Sequence, residues 1–97
     1  MSKAYWIATY RSIMNPAAVE AYAKMAGPAI WAAGGRNLVR GIPDKVFEAG
    51  QVLRTVVIEF ESVAAATAAY NDPAYQACLK VLGDAAERDI RIVEGTD

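Results

Sequence analysis

Histidine is absent from this 97-residue chain. The absence removes the side chain that most often serves as general base, haem ligand and transition-metal ligand. It excludes Ser-His-Asp and Cys-His catalysis and histidine-ligated zinc. The carboxylates show no metal-ligand spacing either, so we expect no metal and no cofactor. Any acid-base chemistry would fall to carboxylates, tyrosines, lysines or a bound substrate.

The chain also has a single cysteine and almost no net charge. Cys78 is the only cysteine, so no intramolecular disulfide is available, and its alanine-rich surroundings favour a small buried hydrophobe over a reactive thiol. Ten basic and eleven acidic residues leave a net charge of -1. This balance offers no electrostatic basis for gripping a phosphate backbone, so we expect no nucleic-acid partner.

Long apolar runs are lacking as well. No run approaches the ~20 residues that span a bilayer, and the N-terminal stretch meets Arg11 before a signal-type apolar region is complete. We therefore expect no membrane association and a cytoplasmic location. The length predicts one domain over residues 1–97, and much of the high apolar fraction, 55%, is alanine.

What is present predicts alternating strands and helices. Residues 4–10 are aromatic and branched, which favours a covered strand. Asn15 and Pro16 predict the start of a helix that ends at Gly34 or Gly35 and is kinked or divided at Pro28. The buried stripe of that helix is predicted to contain Val19, Tyr22, Ala26, Ile30 and Ala33.

The second half repeats the pattern. "RNLVRG" and "KVFEAG" predict a second strand that turns near "GIPD", and residues 54–60 predict a central third strand. Ser62 and Asp72 are predicted to cap two helical segments, the second of which ends at Gly83, and "RDIRIVEG" closes the chain as a strand. The order is that of an α+β, ferredoxin-like βαββαβ domain with a four-stranded antiparallel sheet.

The strand pattern also predicts a partner. Two helices cover only one face of such a sheet, yet neither face is polar: on the first strand Trp6, Ala8 and Tyr10 point one way and Tyr5 and Ile7 the other. Whichever set is uncovered, the face without helices is apolar. Packing a second copy against that face would bury it, so we expect a homodimer through the sheet face. The alternative is a monomer whose "GIPDKVFEAGQ" segment provides the cover.

The chain resembles a known family. Gly34, Gly35 and Arg36 after the first helix, "VIEF" at residues 57–60, and Tyr70, Pro73, Tyr75 and Gln76 are similar to the pattern of the family called domain of unknown function 1330. The resemblance implies a ferredoxin-like fold that pairs as a dimeric α/β barrel. It implies no reaction, since the wider superfamily includes cofactor-independent monooxygenases, haem-binding proteins and isomerases.

Two arginines and a glutamate are candidate site residues. Arg36 and Arg40 share the parity of Leu38 and should lie on one face unless a bulge intervenes, and Glu59 in the apolar third strand is their natural partner. The structural interpretation is a salt bridge that fixes the sheet or the subunit contact. The functional interpretation is an arginine that receives a small anionic or carbonyl ligand beside a carboxylate acid or base.

Tyr22, Tyr70 and Tyr75 pose the same choice between core packing and a pocket that donates hydrogen bonds to a ligand oxygen. Trp6 and Trp31 are predicted to pack, and Asp84, Glu87, Arg88 and Asp89 to form a solvated face. The ligand-binding candidates are thus Tyr22, Arg36, Arg40, Glu59, Tyr70 and Tyr75, with Glu59, Arg36 and Tyr22 as catalytic candidates. Two functions stay open: a small-molecule enzyme or binding protein, and a non-catalytic dimeric module.

Overall fold

Three helices and one sheet make up residues 2–96, the part of the chain that the computed structural model describes. The elements are β1 (Ala4–Ile13), α1 (Pro16–Ala32), β2 (Arg36–Gly41), β3 (Thr55–Phe60), α2 (Val63–Asn71), α3 (Pro73–Leu82) and β4 (Ala86–Glu94). All strand pairs are antiparallel, in the order β2-β3-β1-β4. The predicted ferredoxin-like α+β fold, with the two most apolar strands in the centre, is confirmed.

Helix α1 begins as predicted but is not divided at Pro28. The side chain of Asn15 accepts a hydrogen bond from the backbone N–H of Ala18 at 3.2 Å, and Pro16 takes the first helical position. Gly27 precedes Pro28 and has no Cβ, so one of the clashes that a proline imposes on a helix is missing. Burial of Ile30 beyond the proline then holds the last turns against the sheet.

The hydrophobic core lies between the helices and one face of the sheet. Alternation along β1 and β3 turns Trp6 and Tyr10, with Ile58 and Phe60, towards the helices. Cys78 of α3 is fully buried, and its Sγ donates a hydrogen bond to the Ala74 carbonyl at 3.3 Å. The prediction of a buried, hydrophobe-like cysteine is therefore confirmed.

A β-bulge interrupts β2. Arg36 pairs with Glu59 and Asn37 with Ile58, but Val39 then pairs with Val57, so Leu38 is the additional residue. The bulge reverses the alternation of side chains beyond it. The expectation that Arg36 and Arg40 share a face is consequently wrong: Arg40 lies on the helix-covered side and Arg36 on the opposite side.

The segment between β2 and β3 is a loop, so the predicted strand at "KVFEAG" is wrong. Glu48 has a positive φ of 55°, which strands do not accommodate. The backbone N–H of Gly50 donates to the Phe47 carbonyl at 3.0 Å and closes a turn. Phe47 is 79% exposed and Val46 is half-buried, so this segment leaves its aromatic residue outside the core.

The sheet face without helices is the open face, defined here by Tyr5, Ile7, Val39, Val57 and Val93. Tyr5, Ile7 and Val57 are half-buried by their neighbours. Val39 and Val93 are 49% and 48% exposed. An apolar strip thus runs across all four strands on this side of the protein.

Candidate functional site

A small cavity lies between α1 and the helix-covered face of the sheet, with a volume of about 40 Å³. We call it the arginine cavity. Its apolar wall comes from both layers and includes Trp6, Ala26 and Ile58. Its polar lining residues are Tyr10, Tyr22, Asn37, Arg40, Arg54 and Arg88. Among residues 2–96, no carboxylate side chain belongs to this lining.

Among the three guanidinium groups, that of Arg88 donates to two buried tyrosine hydroxyls. Its Nη1 donates to the Tyr22 hydroxyl at 3.0 Å and its Nη2 to the Tyr75 hydroxyl at 3.4 Å. The guanidinium also lies 4.9 Å from the ring centre of Tyr22 and 5.7 Å from that of Tyr10. These contacts hold a charged group at an otherwise apolar boundary.

The placement of Arg88 in a solvated cluster was wrong. Arg88 pairs with Tyr10 across β1 and β4, and strand alternation therefore turns it towards the helices. Asp89 points the other way, where its carboxylate accepts from Arg91 Nε at 2.9 Å and lies 3.6 Å from Arg11. These arginines keep the pKa of the Asp89 carboxyl below its usual value.

Tyr22 and Tyr75 form a buried hydroxyl pair with an oxygen-oxygen distance of 2.6 Å. Burial raises the pKa of both hydroxyls, so both are neutral at physiological pH. Burial alone would lower the pKa of Arg88, but the two tyrosines outweigh it and the guanidinium stays charged. The pair is thus a neutral hydrogen-bonding unit beside a fixed positive charge.

The hydroxyl pair has one proton to spare. Only one of the two protons can lie between the oxygens, and Arg88 donates to both of them. Tyr22 lines the cavity. When Tyr75 donates to Tyr22, the Tyr22 hydroxyl is therefore free to donate to a ligand oxygen in the cavity.

Arg40 and Arg54 supply the other two charges. Arg40 pairs with Val56 on the edge strand β2, and Arg54 immediately precedes β3. The Nε of Arg54 is buried and has no hydrogen-bond partner in the described part of the chain. Buried donors of this kind are normally satisfied, so the geometry calls for an acceptor.

Arg36 and Glu59 were predicted to interact. They are cross-strand neighbours on β2 and β3, at the edge of the open face, but their side chains contact other residues. Glu59 Oε1 accepts from Lys3 Nζ at 3.2 Å and Oε2 from the Tyr5 hydroxyl at 3.4 Å. Arg36 instead lies 5.7 Å above the ring of Trp31. Trp31 is 67% exposed, so its predicted packing role is wrong.

The structure therefore divides the six predicted ligand residues into three groups. Tyr22 and Arg40 line the arginine cavity, with Tyr75 hydrogen-bonded behind Tyr22. Arg36 and Glu59 lie apart from them. Tyr70 packs in an aromatic cluster, with its ring 5.5 Å from Trp6 and 5.3 Å from Tyr75.

Sequence reasoning missed Arg54 and Arg88 as cavity residues. A usable signal exists: Arg54 has the parity of Val56 and Ile58, and Arg88 has the parity of Ile90 and Ile92. Each arginine therefore extends the buried row of its strand. Asn37, also missed, has no such signal. It has the same parity as Val39, but the bulge at Leu38 places these two residues on opposite faces of the sheet.

The family assignment is clear once the fold and this site are known. The chain belongs to the family described as domain of unknown function DUF1330, whose sequence model matches residues 3–96. The resemblance inferred from the motifs is therefore confirmed. No curated protein matches the chain in sequence.

Solved structures share the fold at low identity. The RPA0582 protein of Rhodopseudomonas palustris, of unknown function, is 19% identical with a TM-score of 0.76, covering 99% of this chain and 82% of its own. A dimeric ferredoxin-like protein of unknown function from Thermobifida fusca is 18% identical with a TM-score of 0.69, over 97% and 92%. A proposed antibiotic biosynthesis monooxygenase from Caulobacter crescentus is 14% identical with a TM-score of 0.66, over 99% and 92%.

Two further findings concern residues 2–96. None of the helices there combines the length and hydropathy needed to cross a membrane. No three acidic or cysteine side chains in the same range gather closely enough to hold a metal ion.

Proposed function

We propose that this protein binds a small oxygenated or anionic organic molecule in the arginine cavity, as a cytoplasmic homodimer and without metal or histidine chemistry. The observation that carries the proposal is the lining itself. Three guanidinium groups and the Tyr22 hydroxyl surround a small space to which the described residues contribute no carboxylate.

Electrostatics favours a ligand over an empty cavity. Neighbouring positive charges repel one another, and a buried guanidinium loses hydration unless it gains an acceptor. Arg88 is satisfied by two tyrosine oxygens, but Arg54 Nε is not. An oxygen-bearing ligand would supply the missing acceptor and reduce the repulsion.

Trp6 offers a direct test, because it lines the cavity whereas Trp31 is exposed. The Trp31→Phe variant leaves Trp6 as the sole indole, so ligand entry is expected to change its emission. We would titrate this variant at pH 7 with small ketones, phenols and carboxylates. Saturable changes for at least one class are expected, with Kd values in the micromolar to millimolar range.

Tyr22→Phe in the same background removes the hydroxyl but keeps the ring. It is expected to weaken binding by about 5- to 20-fold, the effect of losing one buried hydrogen bond. Tyr5→Phe is the matched control, because Tyr5 lies on the open face away from the cavity. If no compound class alters Trp6 emission, the proposal is wrong.

The homodimer is supported by the open face. Its apolar strip crosses every strand, and side chains such as Val39 and Val93 are about half exposed. Burying large apolar side chains contributes about 1.5–3 kcal/mol each when burial is complete. The Thermobifida fusca protein, described as dimeric, has the same fold.

The second candidate, a non-catalytic dimeric module, has one observation in its favour. Glu59, its partner Lys3 and Tyr5 already satisfy one another beside the open face. In that case Glu59→Gln would weaken the dimer, while Trp6 emission would stay constant with every compound class. A ligand response that survives Glu59→Gln would favour the binding function instead.

A further inference from the structure

A second concavity adjoins the arginine cavity, with a volume of about 500 Å³. We call it the apolar groove; its lining includes Ile13, Pro16, Val19 and Leu53, and Glu20 lies at its exposed rim. Ala23 and Arg54 belong to the lining of both spaces. The two spaces are therefore neighbours on either side of Ala23 and Arg54, one charged, between α1 and the sheet, and one apolar, along the start of α1.

We propose that the ligand is an amphiphilic monocarboxylic acid, whose carboxylate enters the arginine cavity and whose hydrocarbon body lies in the apolar groove. This inference rests on the proposed binding function and specifies its ligand class. The juxtaposition that carries it is a cluster of guanidinium groups that adjoins, at Arg54, an apolar surface.

The head group follows from charge and size. Guanidinium groups match planar carboxylates and also phosphates, through paired N–H donors. A space of about 40 Å³ favours the smaller, planar group. The carboxylate would accept from Arg54 Nε, which lacks a partner among residues 2–96, and from the spare proton of Tyr22.

The body follows from the groove. Ile13, Val19 and Leu53 present apolar surface that a hydrocarbon chain would cover. Because the groove is open on one side, each added methylene would be only partly buried. Affinity is therefore expected to rise about two- to four-fold per methylene until the groove is filled.

Glu20 would make the groove favour ligands that carry a single carboxylate. It stands on α1 at the exposed side of the groove, where its only recorded ion pair within residues 2–96 is with Lys24 at 3.6 Å. Surface pairs of this kind are weak and leave the carboxylate hydrated and charged. A second carboxylate at the far end of a ligand would meet this negative charge, which selects against dicarboxylates.

The test uses the Trp31→Phe protein and Trp6 emission at pH 7. The probes are butanoate, hexanoate and octanoate, with methyl octanoate, octanedioate and inorganic phosphate for comparison. We expect affinity to increase along the alkanoate series and to fall at least ten-fold for the methyl ester. Octanedioate and phosphate are expected to bind more weakly than octanoate.

Four variants, at three positions, assign the two ends of the ligand. Arg54→Gln should abolish the preference of octanoate over its methyl ester, while Arg54→Lys retains part of it. Leu53→Ser should flatten the chain-length dependence and leave butanoate affinity within about two-fold. Glu20→Gln should bring octanedioate closer to octanoate. A thermal melt of each variant confirms that it is folded before titration.

The outcomes separate this inference from the function on which it rests. Ketones or phenols that bind while all alkanoates fail would overturn the carboxylate assignment and keep the binding function. Phosphate that binds more tightly than octanoate, or affinity independent of chain length, would overturn the amphiphilic ligand. If none of the probes or the broader compound classes binds, both proposals fall.

Discussion

At the scale of single residues, strand parity determines which face of the sheet a charged side chain lies on. Arg88 lies in an acidic sequence context yet turns inward, whereas its neighbour Asp89 turns outward to Arg91 and Arg11. Two adjacent residues of opposite charge therefore lie on opposite faces of the sheet. Local composition suggests a solvated cluster, whereas the parity of Arg88 with Ile90 and Ile92 and its pairing with Tyr10 on β1 indicate the inward orientation.

The buried tyrosines predict a loss of stability at alkaline pH. The pKa of the Tyr22 hydroxyl is raised in the folded protein, so the unfolded chain loses this proton first, near pH 10. The free energy of unfolding is therefore expected to fall as the pH rises above about 10, by up to about 1.4 kcal/mol per pH unit for this group. Below pH 10 the contribution of this group is fully present.

Urea unfolding at pH 9, 10 and 11 measures that slope. In Tyr22→Phe the slope above pH 10 should be shallower than in the unmodified protein by about one titrating group, or about 1.4 kcal/mol per pH unit. Tyr22→Phe should also unfold more easily at pH 7, because Arg88 Nη1 loses its acceptor. Equal slopes in the two proteins would contradict the buried neutral tyrosine.

The residue scale also shows what the sequence could and could not predict of the site. Tyr22 was assigned to the inward stripe of α1 by helical spacing, and that stripe is buried as predicted at Val19, Tyr22, Ala26 and Ile30. Arg36 and Arg40 were placed together because parity assumes an uninterrupted strand. A single extra residue, Leu38, separated them, and nothing in the local sequence marks a bulge at that position.

At the scale of elements, the motifs shared with the family mainly join secondary-structure elements. Asp72 caps α3 through a 2.8 Å bond from the Ala74 N–H, and Gln76 Nε2 donates to the Tyr70 carbonyl at 2.7 Å. Together they fix the corner between α2 and α3. The glycine pair does the same between α1 and β2, where Gly34 has a φ of 97°.

Gly35 predicts a sharp sensitivity at this second junction. A Cβ added there would lie 2.5 Å from Ile30 Cγ2, 2.8 Å from Phe60 Cζ and 2.9 Å from Ile58 Cγ2. All three side chains are buried in the core, so Gly35→Ala is expected to lower the free energy of unfolding by about 1–3 kcal/mol.

Gly41 supplies the matched control, because a Cβ there would have no heavy atom within 4 Å. Gly41→Ala should leave stability unchanged or raise it by up to about 1 kcal/mol, since alanine restricts the unfolded chain more than glycine does. Chemical denaturation of both variants at neutral pH makes the comparison. A Gly35→Ala protein as stable as Gly41→Ala would show that the surrounding core side chains can shift to accommodate the added methyl group.

Element boundaries with side-chain caps were predictable, and the loop was not. Asn15, Ser62 and Asp72 each act as the predicted cap, because a cap depends only on the residues next to it. "KVFEAG" has the composition of a strand but finds no neighbouring strand with which to pair. Strand formation depends on that distant partner, which local pattern does not specify.

At the scale of the whole molecule, the two sheet faces have separate roles. The covered face holds the core and the arginine cavity, and the open face presents the apolar strip. Because β1 contributes alternate residues to both faces, the proposed subunit contact on one side and the cavity wall on the other would share this strand. Trp6 and Ile7 are adjacent residues that face these two environments.

The proposed homodimer predicts the effect of a charge in the strip. Ile7→Lys places an ammonium group beside Val57 and Arg91, its cross-strand neighbours. Burying this charge next to a second positive charge in a sheet-to-sheet interface would be costly. Native mass spectrometry is expected to show a dimer for the unmodified protein and a monomer for Ile7→Lys.

Val81→Lys is the control for this change, because Val81 is exposed on α3, away from the open face. It should remain dimeric. A dimer that persists equally in Ile7→Lys would place the interface elsewhere, and a monomeric unmodified protein would overturn the homodimer altogether.

The buried position of Cys78 has a practical consequence for such experiments. Burial raises the pKa of its thiol, and the sulfur is enclosed by the core, so the native cysteine is expected to resist alkylating reagents in the folded state. A single exposed cysteine introduced on α3 by Val81→Cys, away from the open face, could then carry a fluorescent dye or spin label without removal of the native thiol. Distances between labelled copies could therefore be measured with the native cysteine in place, because Cys78 is expected to become reactive only when the protein unfolds.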